Sequence, residues 1–119
     1  MPDKVYRTAI YCRLSREDGD KVESNSIASQ RAICEDYIAR HDDLELVCEP
    51  FVDDGYSGVS FNRPQFKKLE EAIRKGALDC IVVKDLSRFS RNYIDGGRYI
   101  EKIFPQLGIR FIAINDAYD

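Results

Sequence analysis

Apolar and polar positions follow two alternating periods along this chain. From Tyr6 to Leu14 the pattern is that of a strand, with Ile10, Cys12 and Leu14 on one face. Ser24 or Ser26 can cap a helix running to about Arg40, with Ile27, Ile33, Cys34, Tyr37 and Ile38 as its apolar positions. Leu44–Val52 reads as a second strand, followed by the turn-rich Asp53-Asp54-Gly55-Tyr56-Ser57-Gly58. Pro64 suits the first turn of the next helix and Gly76 its C-terminal cap. Asp79–Lys84 is a third strand, whose Ile81-Val82-Val83 is a short run of the kind buried on both faces. A helix follows from about Tyr93 to Phe104, with Gly96-Gly97 weakening it by ~1 kcal/mol per glycine relative to alanine. Gly108 ends that helix, and Ile109–Ile114 is a fourth strand.

The order βαβαβαβ predicts an α/β fold: a three-layer sandwich with a mostly parallel sheet of four to five strands and helices on both faces. There is no internal repeat, low-complexity stretch or linker, so residues 1–119 are read as one domain. In such sheets ligands bind beyond the carboxyl ends of the strands. The sequence sorts itself accordingly. Arg13, Ser15 and Arg16 follow strand one, a Gly-rich loop ending in Arg63 follows strand two, and Arg88 and Arg91 follow strand three. The opposite edge carries Gly76-Ala77-Leu78 and Gly108, which read as plain turns.

Composition narrows this little: 44% hydrophobic and 33% charged residues are ordinary for a globular protein. No apolar run is long enough to span a membrane, and no signal-peptide core follows Met1, so the expected location is cytoplasmic. Charge is more informative. The net charge is -3, yet its distribution is uneven: Glu35–Asp54 holds eight acids and one base (Arg40), whereas Lys4–Arg16 and Lys84–Arg91 are net positive. A local basic cluster on an acidic domain points to aimed phosphate contacts and to weak DNA binding by this domain alone.

Cys12, Cys34, Cys48 and Cys80 lie in apolar segments without metal-ligand spacing and read as small buried hydrophobes. His41, the single histidine, falls at a solvated helix end, which leaves a Ser-His-Asp triad without a usable base. The acidic loop at Asp53-Asp54-Gly55 lacks the further ligands a metal would need, and no nucleotide-binding glycine signature is present, so neither metal nor cofactor is expected.

What remains is a serine among arginines. Tyr11, Arg13 and Ser15 share one face if the strand continues. An arginine inside an apolar strand is costly unless paired or functional; the plain alternative is an edge arginine paired with an acid. Phosphoryl transfer mostly needs positioning and stabilisation of charge on the non-bridging oxygens. The planar, permanently charged fork of arginine fits that task, and Arg13, Arg63, Arg88 and Arg91 could perform it without a metal. Arg88 and Arg91 fall on one face if their turn is helical.

These residues resemble the catalytic domain of serine recombinases, the resolvase/invertase family. The resemblance runs from about Tyr6 to Asp116. Tyr11-x-Arg13-x-Ser15, Ser26-x-x-x-Gln30, Asp54-Gly55-Tyr56-Ser57-Gly58, Asn62-Arg63-Pro64 and Ser87-Arg88-Phe89-Ser90-Arg91-Asn92 occur in the order found in the large branch of phage integrases and transposon excision enzymes. The resemblance implies a resolvase-like fold and Ser15 as the nucleophile, giving a 5′-phosphoserine and a free 3′-hydroxyl. It implies Arg13, Arg63, Arg88 and Arg91 as phosphate-stabilising groups, with Gln30 near the site and Tyr11 shaping it. It further implies double-stranded DNA recombination sites as partner, a dimer and synaptic tetramer in the full-length protein, and rejoining without ATP or metal. The family's long dimerisation helix and DNA-binding domains would follow Asp119, so the chain is read as a catalytic domain alone. One departure stands out: where many members carry aspartate directly before the first arginine of the last phrase, this chain has Ser87, with Asp85 two residues earlier as the carboxylate that could stand in.

Two other classes compete. A non-enzymatic regulatory module of the phosphate-receiver type would need acids at the end of strand one, where this chain has Arg-Leu-Ser. A small hydrolase using Ser15 would need a G-x-S-x-G elbow and a histidine.

Overall fold

The computed structural model describes residues 4–14, 26–55 and 60–119, apart from the Tyr93 side chain. Strand β1 (Tyr6–Leu14), the longest, is the hub of a five-stranded sheet. Strands β2 (Leu44–Leu46) and β3 (Phe51–Asp54) line one side of it, β4 (Cys80–Val83) pairs with the other, and β5 (Arg110–Ala113) lies beyond β4. Every pairing between these strands is parallel.

The second predicted strand is in fact two. Tyr6 faces Leu44, but Tyr11 faces Phe51, so two extra residues are inserted between the paired stretches. The last ladder bond before the break runs from Val47 N–H to Thr8 O at 3.2 Å. Pro50 has no N–H to give a ladder, and the chain detours past Cys48 before pairing resumes at Phe51. Cys48 is therefore exposed, contrary to the buried position its apolar neighbours suggest, whereas Cys12, Cys34 and Cys80 are buried as expected.

Alternate residues of the central strands divide the core in two. Ile10, Cys12, Cys80, Val82 and Ile112 meet helix α1 (Ile27–Ala39) through Cys34 and Ile38. Ala9, Tyr11, Ile81, Val83, Phe111 and Ala113 meet the other three helices through Phe66, Leu69, Ile73, Phe89 and Phe104. Those helices are α2 (Pro64–Arg74), the one-turn α3 (Leu86–Phe89) and α4, which starts at Tyr93–Arg98. Ile81, Val82 and Val83 are wholly buried, as a strand covered on both faces requires. Three layers result, and the α/β prediction holds.

Local signals place the helix ends. Ser26 caps α1, its Oγ accepting from Ser29 N at 3.1 Å. Gly76 and Gly108 end α2 and the α4 segment with φ of 77° and 72°, where a Cβ would be strained. Helix α4 continues as a π turn over Tyr99–Ile103 and a last α turn, Phe104–Gln106. Pro105 explains the widening: in a regular helix its ring would strike the Glu101 carbonyl, and Phe104 N–H instead reaches back to Tyr99 O. Gly96 on α4 makes a close approach, since a Cβ there would sit 3.0 Å from Ser90 Cβ. Beyond β5, Ala117 turns the chain back (φ 51°), and Tyr118 O accepts from Ala113 N at 2.9 Å.

Candidate active site

The carboxyl ends of β1, β3 and β4 gather five of the seven candidate residues: Tyr11, Arg13, Gln30, Arg63 and Arg88, all buried. Arg91 lies past the end of α3, exposed, beside a hollow lined by Leu86, Ser87, Ser90 and Asp116. The turn is helical only to Phe89, and Ser90 is extended, so Arg88 and Arg91 do not share a helical face. Ser15 lies outside the described residues, as do Arg16, Ser24, Tyr56, Ser57 and Gly58.

Arg13 is wholly buried in the central strand, so it is not an edge arginine. Its guanidinium turns to α3, with Nη2 donating to Ser87 O at 2.7 Å and Nε to Arg88 O at 3.3 Å. Arg63 does likewise, with Nη1 donating to Phe89 O at 2.5 Å and Nε to Ser60 O at 2.7 Å. The last carbonyls of a helix have no partner within it. Two arginines from elsewhere in the chain supply those partners here, at the end of the helix where cations are favoured. Arg88 completes the knot, its Nη1 donating to Arg13 O at 3.1 Å. The Phe61 ring lies 4.6 Å beneath the Arg63 guanidinium and adds a cation–π contact.

Gln30 positions rather than reacts. Its Oε1 accepts from Arg13 N at 3.1 Å while its Nε2 donates to Arg13 O at 3.0 Å, a reciprocal amide pair that fixes the end of β1 to α1. The sequence marks Gln30 as a polar residue on an otherwise apolar helix stripe with Cys34 and Ile38.

Two carboxylates were missed or undervalued at the level of sequence. Asp85 caps α3, its Oδ1 accepting from Arg88 N at 3.1 Å and from Ser87 Oγ at 2.6 Å, with Arg88 Nε 3.7 Å away. Ser87 Oγ also accepts from Arg88 Nη2 at 3.3 Å. Ser87 and Asp85 together thus give Arg88 a hydroxyl and a carboxylate. Asp53, in the loop considered above as a weak metal candidate, is almost fully buried with both oxygens engaged. Its Oδ1 accepts from Gln65 N and its Oδ2 from Phe66 N, each at 3.0 Å, and Oδ2 also accepts from the Tyr11 hydroxyl at 2.8 Å. That carboxylate is a helix cap, and among the described residues there is no group of three or more His, Cys, Asp or Glu placed to hold a metal. Its signal was Arg63-Pro64: a helix beginning there has no capping side chain of its own.

Burial sets the protonation of the neutral groups. The Tyr11 phenol is pushed well above its ordinary value, chiefly by burial, so it stays a neutral donor. Burial pushes the Cys12 thiol up to about 12, which removes it as a nucleophile. What the site offers chemically is a set of guanidinia anchored on carbonyls at the carboxyl edge of a parallel sheet, where arginine forks suit phosphate oxygens.

The arrangement is that of an α/β catalytic-domain fold with an arginine cluster at the end of its first strand. Residues 8–119 match the family model "Resolvase, N terminal domain", and the chain belongs to that family. It is similar to the N-terminal catalytic domain of TP901-1 integrase, with a TM-score of 0.80 and 28% identity over 93% of this chain and 78% of that one. Its fold also matches the C-terminal catalytic domain of ISC1926 TnpA, an IS607-like serine recombinase, with a TM-score of 0.71 and 23% identity over 90% of this chain and 66% of the other. In sequence it is 31% identical over 110 residues to a Bacillus subtilis (strain 168) protein named "Putative DNA recombinase". The alignment takes in 92% of this chain and 21% of that protein, so the chain spans about a fifth of the curated relative it matches.

Proposed function

We propose that the chain is the catalytic domain of a site-specific DNA recombinase that cuts and rejoins DNA through a covalent 5′-phosphoserine. The observation that carries this reading is the anchored cluster of Arg13, Arg63 and Arg88 at the carboxyl end of β1, the strand that Ser15 directly follows in sequence. In the proposed step the Ser15 hydroxyl oxygen bonds to phosphorus as the bond from phosphorus to the 3′ oxygen breaks. The serine proton is lost and the 3′ oxygen gains one, leaving a 3′-hydroxyl. The phosphodiester energy stays in the serine ester, so attack by a 3′-hydroxyl reverses the step without ATP. The arginines neutralise charge growing on the non-bridging oxygens, the kind of stabilisation worth ~10²–10³-fold per donor. Arg91, exposed past the end of α3, is assigned in this reading to the DNA backbone. Tyr11 and Gln30 hold the arginine cluster in place.

The same reading makes double-stranded recombination sites the partner, with a dimer and a synaptic tetramer as working assemblies in the cytoplasm. It makes excision or integration of a mobile element the biological task.

The test is to express the complete gene in cells, denature rapidly, and sequence the DNA 5′ ends that stay attached to protein, with Ser15→Ala alongside. Attached ends at a discrete site, lost in Ser15→Ala, are expected. Absence of attached ends in cells whose DNA rearranges at the element would overturn the role of Ser15 and favour a regulatory module.

A further inference from the structure

Helix α2 starts in an unusual way. Pro64 is its first residue and has no N–H, so Gln65 and Phe66 carry the first backbone donors. The residue that would ordinarily cap them is Arg63, and its side chain makes no cap. It points instead into the arginine cluster, onto Phe89 O and Ser60 O. The cap comes from another strand: Asp53 on β3 takes Gln65 N on one oxygen and Phe66 N on the other. The second oxygen also takes the Tyr11 hydroxyl, and Arg63 Nη1 donates to that hydroxyl at 3.4 Å. Asp53 itself stands opposite Arg13 in the ladder between β1 and β3.

We infer that Asp53 is the positioning residue of Arg63. One buried carboxylate supplies the acceptor that the Arg63 side chain, a donor only, cannot, and fixes that helix start to β1, while Tyr11 connects the same oxygen to the guanidinium. Asp53 does not touch a phosphate; it acts through Arg63, and its importance for catalysis rests on the functional reading above. An asparagine at 53 would be near in shape but would turn an NH2 group toward an amide donor, opening one arm of the cap. A displacement of about 1 Å at a positioned group costs on the order of 100-fold in rate.

Two measurements test this, with Leu69→Ala as a control that weakens the same helix from its core face. The first needs no DNA. In 15N-labelled protein the Arg63 Nε–H signal, assigned by its loss in Arg63→Ala, reports the bond to Ser60 O through its exchange with solvent. Asp53→Asn is expected to speed that exchange under conditions where the protein stays folded, and Leu69→Ala at matched loss of Tm is not. Equal exchange in both variants would reduce Asp53 to a structural cap and overturn the inference.

The second is the rate of covalent attachment to DNA by the complete protein. Asp53→Asn is expected to slow it by about 100-fold, yet to add little in an Arg63→Ala background, because the two substitutions remove the same contribution. Independent, multiplying losses would overturn the inference. If the unsubstituted protein forms no attachment at all, the functional reading fails instead, and the Nε–H exchange alone decides the role of Asp53.

Discussion

Cys12 and Cys80 on the sheet and Cys34 on α1 lie in the layer between sheet and helix, each with no exposed surface. Burial raises all three thiols, Cys80 to about 12. They are small apolar side chains in function. Cys48, on the detour that Pro50 forces, is the exception. A maleimide added to the native protein should therefore modify Cys48 alone, and the other three only after unfolding. Intact mass should show a single adduct under native conditions and four in denaturant. Rapid native labelling of Cys12 or Cys34 would mean that α1 detaches from the sheet. The same scale shows why the site was only half legible in sequence. Arginines in loops after strands announce themselves by type and place. Asp53 and Asp85 do not, because each bonds to backbone N–H groups supplied by an element elsewhere or by its own next turn, and that choice is made only when the chain has folded.

Among the elements, the strands were the easiest to read, since continuous apolar runs such as Ile81-Val82-Val83 have one stable place in a covered parallel sheet. The split of Leu44–Val52 was signalled by Pro50 but hidden by the apolar residues on both sides of it. The one-turn α3 was not anticipated as a separate helix. Four residues carry no periodicity, and its stability comes from caps: adjacent Asp85 and distant Asp116 at its start, Arg13 and Arg63 from elsewhere in the chain at its end. The neighbouring α4 separates two glycines that look equivalent in sequence. Gly97 has open space where a Cβ would stand, so Gly97→Ala should raise stability by ~1 kcal/mol. Gly96 faces Ser90, whose Oγ is tied to Asn92 N at 2.9 Å and to Asn92 O at 3.1 Å. Gly96→Ala should forfeit that gain and lower Tm instead. Urea melts of the two variants check this, and equal gains would mean that Ser90 yields freely.

Across the whole molecule, the two edges of the sheet do different work. The carboxyl edge holds the arginine cluster; the amino edge is closed by ion pairs. Arg7 binds Asp79 through a forked contact of 2.9 and 3.0 Å, and Arg110 joins Asp43 at 2.7 Å and Asp119 at 2.5 Å. Asp79 is held down to about 2, mainly by its hydrogen bond from Arg7, and Asp43 is lowered mainly by its bond from Arg110. A carboxylate whose folded value is depressed adds stability that is complete above the ordinary value of about 4. That stability is lost as pH falls through the folded value, because the unfolded chain takes up the proton first. Tm should accordingly fall between about pH 4 and about pH 2. In Arg7→Ala the loss over that window should be smaller, since part of it has already been spent. An unchanged slope would assign acid unfolding to other carboxylates.

The guanidinia clamped on the carbonyls of α3 have a thermodynamic consequence for any ligand. Like charges gathered in one place repel, and long side chains lose rotamer freedom when they are fixed. Here both costs fall on the folding of the chain, where the carbonyl bonds offset them, and are not left for the moment of encounter. If an anion binds here, as the proposed function requires, it meets side chains fixed in advance but buried, with donors held on backbone carbonyls. Association should then cost little side-chain rotamer freedom but require donors to pass from carbonyl to anion, so a shift of α3 is expected on binding.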